Sequence, residues 1–463
     1  MIWFLLQKIG FWIFVGLSVY FTARKRMTDL MSLYFWGMTF ATCYQFAITI
    51  WFPTKIVVLA MMICLIIYGS ERRDSDAVSY IKPFSFTFIT ILIIGDLIGI
   101  LTPAEYATHI NKFSRIFNTN YTYITSIALL FYGCMMPRGF VKKTYPQYCL
   151  AMEVAIGFGI LHFLCSKVGI EFMPILRQDG SVNLEALAEV GGSIMTRIYG
   201  VSGEPKGLAF LVCPYVLMMM VMYSQEKFRF NNPKYHIAMI ILGIFVLINT
   251  YSSAALIDFA IATPLLLLFL PMKRLISKLI PPLIMLFALV GFVSLLKDTF
   301  ADTPQKESPN MLEALYERSF GRAQDEMSGD RQERIILDYF IDDRDISVHF
   351  WGYGTAQYTF HIPGQTIGNA LIPVQSGLVL TLVDFGLLGI VLYAWLFIMI
   401  LRLLRKSYYS SSIYAIGFSV AALSSFIGSL MFGSIVSCFV YFMLALYAYY
   451  DRQEKENQEI EAI

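Results

Sequence analysis

The feature that most constrains this chain is a series of long apolar runs, joined by connections that are mostly short. Runs of about 15 to 24 residues recur along it, near the length at which a helix crosses the hydrocarbon core of a bilayer. Because lipid cannot hydrogen-bond to the backbone, helices are the expected spanning form for runs without polar alternation. The sequence therefore predicts an all-α, polytopic integral membrane protein. Thirteen segments are predicted to span: 2–21, 30–51, 55–69, 83–101, 121–136, 148–166, 207–223, 236–250, 254–271, 280–296, 377–400, 412–428 and 432–449.

The composition agrees with a protein that lives in lipid. Hydrophobic residues make up 57% of the chain and charged residues 15%, against roughly a quarter charged in soluble proteins. A net charge of +2 lacks the basic excess that nucleic acid requires, so nucleic acid is not an expected partner. The seven cysteines lie in or beside apolar runs without metal-ligand spacing, and we interpret them as small core residues. The N-terminal run has no basic region before it and no small-residue cleavage site after it, which predicts a retained first span.

The basic residues predict the orientation of the chain. Every second connection carries three Lys or Arg, and six connections do so. Since basic residues in short loops stay on the cytoplasmic side, the N-terminus is predicted outside and the charged tail 451–463 in the cytoplasm. If the first run is not a true span, twelve remain. The other short connections and the N-terminus hold Lys8, Lys55, Lys112 and Arg115.

Two long connections are predicted on the external face of a single transmembrane domain, 1–463. They cover 167–206 and 297–376, and loops of this size are usually functional or disordered. The second contains Trp351, Tyr353 and Tyr358, so we expect folded loops.

The first external loop ends in a glycine-rich turn that leads into the seventh span. It reads Arg197-Ile-Tyr-Gly-Val-Ser-Gly-Glu204-Pro-Lys206-Gly. Backbone N–H groups and the helix dipole at such a terminus favour an anion. The alternative is that the glycines only shape a turn, while Arg197 and Lys206 meet lipid headgroups.

The second external loop holds several arginines, among them Arg331 and Arg334. Much of 311–341 has helical periodicity, and Arg334 lies four residues before Asp338. Ordinary ion pairs on a helix surface are the alternative explanation for these arginines.

Five motifs, taken in order, resemble the O-antigen polymerase and O-antigen ligase family of membrane proteins. After the Arg197 motif come Thr250-Tyr-Ser-Ser-Ala-Ala and Gly329-Asp-Arg331-Gln-Glu-Arg334. Phe350-Trp-Gly-Tyr-Gly-Thr-Ala and Leu382-Val-Asp-Phe-Gly-Leu-Leu-Gly follow. The resemblance covers roughly 190–400, and the N-terminal third matches only as generic spans.

The resemblance implies a metal-independent glycosyltransferase without a cofactor, whose donor is an oligosaccharide linked to undecaprenyl pyrophosphate. The expected activity is polymerisation of polysaccharide repeat units for O-antigen, capsule or exopolysaccharide. Arg197 and Arg331 fall on the family's arginine positions and would hold the pyrophosphate, with Arg334 able to assist. A chain-length regulator is a further expected partner. Guanidinium forks suit phosphate oxygens, which supports these roles on physical grounds.

The acceptor hydroxyl also needs a base, and here the sequence departs from the family pattern. Ligases of the family commonly place a histidine shortly before the last motif, where this chain reads Pro373-Val-Gln375-Ser-Gly. The candidates that remain are His361, His349 and Glu204.

Three other functions stay open from the sequence. The first is a ligase that moves the glycan to a lipid acceptor, the second a transporter or flippase of lipid-linked sugars, and the third an inactive assembly partner. A transporter commonly shows repeated halves and binding groups at the bilayer midplane, and we find no repeat. The acidic residues in or beside predicted spans are interpreted as structural, although such groups are often functional. They are Asp96, Glu153, Asp258 and Asp384.

Overall fold

The computed structural model describes residues 2–40, 53–69, 76–107, 110–170, 172, 187–190, 193–269, 332–367, 370–371 and 374–461. These residues form an all-α membrane protein with two small antiparallel hairpins. The helices are α1 Ile2–Ala23, α2 Met27–Thr39, α3 Pro53–Tyr68, α4 Asp76–Leu101, α5 Lys112–Tyr132, α6 Phe140–Lys167, α7 Pro205–Ser224, α8 Pro233–Asn249, α9 Ser253–Phe269, α10 Gln332–Asp342, α11 Ile346–Trp351, α12 Tyr358–His361, α13 Gly377–Tyr409, α14 Ile413–Met431 and α15 Phe439–Glu461. The hairpins pair β1 Leu187–Val190 with β2 Ser193–Thr196, and β3 Thr366–Ile367 with β4 Ala370–Leu371.

Five of the described helices, α4, α6, α7, α13 and α14, are long and apolar enough to cross a membrane. Shorter apolar helices occur within α1, α3, α8 and α9. The predicted segment 280–296 lies outside the described residues, and each of the other predicted segments overlaps a helix. The hydrophobic pattern therefore located the helices correctly.

Several predicted boundaries differ from the observed ends of the helices, and the starts of α5 and α15 show the cause. The fifth helix begins at Lys112, well before the predicted start at 121, because Asn111 caps it by accepting a hydrogen bond from the backbone N–H of Ser114 at 3.0 Å. The last helix begins at Phe439, because 432–438 form a bend and a short 3₁₀ helix. Polar cap residues, Asn111 and Ser434, precede the starts of these two helices. The length of an apolar run does not show where such residues act.

The centre of the bundle is α14, which packs against α7, α9, α13 and α15. Nearly every residue of α7 and most of α14 are buried, as expected for helices that are apolar on all sides. The peripheral helix α1 instead exposes Trp12, Ile13 and Val19, which suits contact with lipid chains.

One loop segment is as buried as the helices around it. Residues 352–360, here called the buried segment, follow α11 and are inaccessible along their whole length. The backbone N–H of Tyr353 donates to the carbonyl of Val383 at 2.8 Å, and that of Thr355 donates to Gly95 at 3.2 Å. The two aromatic and glycine-rich motifs of the sequence, 350–356 and 382–389, therefore contact each other directly.

Glycine makes this close packing possible. Gly352 and Gly354 both have positive φ, +77° and +95°. A Cβ atom on Gly352 would lie 2.4 Å from the carbonyl carbon of Asp384, and one on Gly354 would lie 2.6 Å from the carbonyl oxygen of Gly95. Gly386, at φ 58° and ψ −146°, breaks α13 where Phe350 approaches it. Only residues without a side chain fit at these positions.

Candidate functional site

Arg197 follows β2 directly and is buried, with 5% of its surface exposed. Its Nε donates to the carbonyl oxygen of Thr250 at 3.0 Å, and its Nη2 donates to that of Tyr251 at 3.4 Å. These carbonyls lie at the C-terminus of α8, where the helix dipole favours a cation. The side chain is thus buried and held in a fixed orientation by backbone carbonyls.

A chain of hydrogen bonds joins the two long loops. Lys206, in the first turn of α7, donates its Nζ hydrogen bond to the side-chain oxygen of Gln375. The backbone N–H of Gln375 donates to the carboxylate of Glu333 at 3.0 Å. We call Lys206, Gln375 and Glu333 the Lys206 cluster. It holds the first turn of α10 close to the N-terminus of α7.

The other predicted anchors for pyrophosphate occupy different situations. Arg331 lies outside the described residues, two positions before Glu333. The second loop therefore folds back at least as far as Glu333, whereas a shared cavity for Arg331 and Arg197 stays a prediction. Arg334 is 48% exposed and its Nε lies 3.8 Å from the carboxylate of Asp338, the ion pair that the four-residue spacing predicts.

Glu204 is the N-cap residue of α7 and is partly buried. Its side chain makes no capping hydrogen bond, and Pro205 occupies the first helical position. A carboxylate at this terminus interacts favourably with the helix dipole. The anion predicted at this turn would thus share the helix terminus with Glu204, and Lys206 and Arg197 are the nearest cations along the chain.

A cavity of about 550 Å³ lies between the end of α4 and the residues that follow α10. Glu105, Asp343 and Asp345 bring three carboxylates to it, and Trp351, Tyr353 and His361 bring aromatic rings. We call it the acidic cavity. Its other lining residues are Ile94, Ile98, Thr102, Ser347, Val348 and Gly352.

His361 lines this cavity with its ring stacked on that of Tyr353, at 5.3 Å between centroids and an angle of 8°. Its Nε2 atom is buried and has no hydrogen-bond partner among the described residues. Burial lowers the pKa of His361 below its ordinary value, opposed by the negative charges of Glu105 and Asp343. The imidazole is therefore neutral at pH 7 and can donate or accept a hydrogen bond.

The carboxylates of the acidic cavity are themselves ordered. Tyr353 donates its hydroxyl hydrogen bond to Asp343 at 2.9 Å, and Asp345 caps α11 by accepting from the N–H of Ser347 at 2.9 Å. Hydrogen bonds with the side chain and the backbone N–H of Ser347 lower the pKa of Asp345, so this residue stays ionised. Glu105 is placed by its own N–H, which donates to the carbonyl of Phe360 at 2.9 Å.

The third candidate base, His349, lies on α11. Its Nε2 lies 3.3 Å from the carbonyl oxygen of Ile341, and its ring packs edge-on against Phe340. These contacts explain His349 as a residue that fastens α11 to α10.

The Lys206 cluster and the acidic cavity lie at opposite ends of one helix. Glu333 is in the first turn of α10 and Asp343 follows its last residue, ten positions later. At a rise of 1.5 Å per residue their backbones are about 15 Å apart. His361 therefore belongs to a different part of the loop region from Glu204 and Arg197.

The acids inside the helices have protein partners. Asp258 accepts from the hydroxyl of Ser424 at 2.9 Å, Asp96 from Asn120 at 2.6 Å, and Glu153 pairs with Arg229 at 2.8 Å. Asp384 is fully buried, near enough to Arg115 for their charges to interact. Arg115 itself donates to the hydroxyl of Thr359 in the buried segment at 2.6 Å. These contacts support the structural interpretation of Asp96, Glu153 and Asp258, whereas neither carboxylate oxygen of Asp384 has a hydrogen-bond partner among the described residues.

A larger groove of about 790 Å³ lies between α3 and α5. Its lining is mainly apolar, with Lys55, Asn118 and Asn120 as its polar side chains apart from Tyr121 and Thr125. In a membrane such a surface contacts lipid chains. Volume alone therefore does not mark the chemically promising cavity.

Sequence reasoning missed Glu105, Asp343, Asp345 and Gln375. Asp343 and Asp345 flank Arg344 in an acidic run that resembles any solvated loop, and Glu105 is more than two hundred residues away in the chain. No spacing rule connects them. The glycines of 350–356 were the available signal, since they indicate close approach of the backbone to another element.

Among the described residues, no group of three His, Cys, Asp or Glu side chains is placed to hold a metal ion. The sequence matches no family model and no curated protein sequence. The arguments for function therefore rest on the geometry of the loops and on the resemblance of their motifs.

Proposed function

We propose that this protein is a polysaccharide repeat-unit polymerase that acts at the outer face of the bacterial inner membrane. It transfers a glycan from undecaprenyl pyrophosphate to a hydroxyl at the nonreducing end of a second lipid-linked glycan. The bond between the anomeric carbon and the pyrophosphate oxygen breaks, and the pyrophosphate leaves with the electron pair. A new glycosidic bond forms to the acceptor oxygen, whose proton passes to a base.

The observation that supports this proposal best is the Lys206 cluster. Two loops whose motifs resemble those of the polymerase and ligase family are joined there, through Gln375, to Glu333. Arg331 precedes Glu333 by two residues, and Arg197 precedes Lys206 by nine. A site for the leaving group between these two stretches requires no large rearrangement of the described chain.

Arg197, Arg331 and Lys206 would interact with the charge that develops on the leaving pyrophosphate. Donors fixed in advance stabilise such charge best, because they need no reorganisation during the reaction. Arg197 meets this condition, since the carbonyls of Thr250 and Tyr251 orient its guanidinium.

Glu204 is the better-placed base of the candidates. A base must come within hydrogen-bond reach of the proton that it removes. Glu204 lies next to Pro205 and Lys206, whereas His361 lines the acidic cavity with Asp343, whose backbone is about 15 Å of helix length from Glu333. We therefore assign proton removal to Glu204 and give His361 a different role below.

The test is reconstitution in vesicles with a synthetic undecaprenyl-pyrophosphate repeat unit, scored for a ladder of longer products. Arg197→Ala and Arg331→Ala are each expected to slow transfer by about 100-fold or more, the effect of removing one donor from a developing anion. Arg197→Lys keeps the positive charge but lacks the two-pronged guanidinium, so its transfer rate should lie between those of the wild type and Arg197→Ala.

Arg405→Ala is the matched control. Arg405 lies near the C-terminal end of α13, whereas Gln375 of the Lys206 cluster lies just before its N-terminal end. The guanidinium carbon of Arg405 is 5.8 Å from the ring centroid of Tyr409. This variant should leave the ladder unchanged. An Arg331→Ala protein that inserts normally and still makes long chains would remove Arg331 from the site. A single product on a lipid acceptor without a ladder would indicate a ligase. Movement of substrate across the vesicle without lengthening would indicate a transporter.

A further inference from the structure

The acidic cavity is a built space that pyrophosphate binding does not use. Its volume of about 550 Å³ lies in the range of small-ligand sites. Its lining residues include three carboxylates but no Lys or Arg. Lys112, whose amine donates to the carbonyl of the lining residue Thr102, offsets only one of these three charges, so the cavity suits a ligand without a phosphate group.

Carboxylates that accept hydrogen bonds suit a ligand that offers many hydroxyl groups. Asp345 stays ionised, Asp343 adds acceptor oxygens from the same turn, and Glu105 adds others from the stretch that follows α4. The Thr102 hydroxyl donates to the carbonyl of Ile98 at 2.8 Å and the Ser347 side chain bonds to Asp345, so both offer their oxygen atoms as further acceptors. The polar groups therefore converge from two separate stretches of chain on one space.

Aromatic rings form the remaining wall. Trp351 and the stacked pair Tyr353 and His361 line the cavity. Such rings present flat, largely apolar surfaces with a polar edge. The buried Nε2 of His361, without a partner among the described residues, is a polar atom that a ligand in the cavity could satisfy.

We propose that the acidic cavity binds an uncharged sugar ring of the glycan and excludes rings that carry a carboxylate. The inference rests on the proposed function, and it adds a glycan subsite at the opposite end of α10 from the transfer site. Hydroxyl groups bond to the three carboxylates, and the apolar face of the ring packs on the aromatic wall. A uronic acid would place a fourth negative charge beside three others, which costs free energy.

Binding of oligosaccharides to the purified full chain tests this without any transfer reaction. The probe is a printed array of neutral and uronic-acid-containing oligosaccharides without lipid or phosphate. The wild-type protein is expected to bind neutral members and to leave the uronic-acid members unbound. Asp343→Asn and Glu105→Gln should each weaken neutral binding about tenfold, the effect of losing one good hydrogen bond to a charged group.

Asp338→Asn is the matched control, since Asp338 lies on the same helix with 63% of its side chain exposed, outside the cavity lining. It should bind as the wild type does. Tyr353→Phe keeps the ring and removes the hydroxyl that orients Asp343. Weak neutral binding by a folded Tyr353→Phe protein would therefore report the lost orientation of Asp343 and not a loss of folding. Thermal unfolding in detergent identifies any variant that fails to fold.

The inference is overturned if the array shows no neutral binding, if uronic-acid members bind equally, or if Asp343→Asn leaves neutral binding intact. Its failure differs from failure of the proposed function. If transfer proceeds but the cavity variants bind neutral glycans as the wild type does, only the subsite is contradicted. If neutral glycans bind in a way that depends on Asp343 but the protein has no transfer activity, the subsite is supported and the polymerase function is contradicted.

Discussion

The two ends of α10 differ in charge, in packing and in what each can bind. At the first turn, Glu333 takes part in a hydrogen-bonded chain that reaches the cation Lys206. Beyond the last turn, Asp343 belongs to a cavity whose lining residues carry only negative charge. Under the two proposals above, a phosphorylated leaving group would bind near the first turn and an uncharged sugar ring beyond the last turn. Four expected effects, taken from the largest to the smallest, test that separation.

The largest effect is expected from Gly352→Ala, which should disrupt the acidic end alone. The added Cβ would lie 2.4 Å from the carbonyl carbon of Asp384, at a φ of +77° that side chains rarely adopt. We expect a loss of about 3 kcal/mol or more in unfolding free energy, since both strain and overlap oppose folding. Thermal unfolding in detergent measures it.

Gly364→Ala is the control, because Gly364 has a similar φ of +74° with nothing within 4 Å of the added Cβ. It should cost only about 1 to 2 kcal/mol, the strain of the backbone conformation. Equal losses in the two variants would show that the close approach of the buried segment to α13 contributes nothing.

The second effect concerns the opposite end. Gln375→Ala removes the side-chain oxygen that accepts from Lys206, and we expect about tenfold slower transfer with normal insertion. Neutral glycan binding should stay unchanged, because Gln375 does not line the acidic cavity. Gln453→Ala, which loses a hydrogen bond to Tyr449 on α15, is the control for transfer. A Gln375→Ala protein with lost glycan binding would contradict two separate sites.

The third effect is a pH dependence located at the acidic end. Burial lowers the pKa of His361, Lys112 lowers it further, and Glu105 and Asp343 raise it. Glu105→Gln should therefore move that pKa further down, as NMR titration of the imidazole would show. An unchanged or higher pKa would mean that Glu105 does not face His361.

The same depressed pKa has a consequence for stability. The unfolded chain takes up the proton first as pH falls below about 6.5, so acid weakens the fold. The contribution of His361 to stability is complete above that pH and decreases as pH falls through and below it. His361→Gln should show a weaker loss of stability between pH 7 and pH 5 than the wild type, in thermal unfolding at each pH.

The smallest effect is expected from Arg334→Ala. Its ion pair with Asp338 spans 3.8 Å between two exposed groups, and exposed pairs of this kind contribute about 0 to 1 kcal/mol. Unfolding free energy should therefore change by about 0.5 kcal/mol or less, in the same thermal assay. A slowdown in transfer comparable to that of Arg331→Ala would instead assign Arg334 to the pyrophosphate.

The sequence predicted the helices well because every membrane span needs a sufficient length of apolar residues, and this length can be read from the local sequence. Apolar length is visible residue by residue, as in α4 and α14. The start of α5 was missed because Asn111 and Ser114 decide it through one hydrogen bond within a polar stretch. Helix ends depend on such single contacts.

The candidate site could be predicted only in part. Arg197 was identified from its motif, but its contact with Thr250 depends on where α8 ends beside it. Glu105 and Asp343 meet because the buried segment packs between α4 and α13, a tertiary arrangement without a period in the sequence. Residues brought together by a fold leave no local pattern when each one alone looks like an ordinary loop acid.

Both ends of α10 are fastened, Glu333 to Gln375 and Asp343 to Tyr353. One inserted residue would advance the far end by 1.5 Å and turn it by about 100°, because a helix has 3.6 residues per turn. Ile336 and Phe340, which face the core here, would then turn partly toward water. Related chains that keep both attachments should therefore differ in length within this helix by about seven residues, two full turns, or not at all. Insertions and deletions elsewhere in the long loop are free of that restriction.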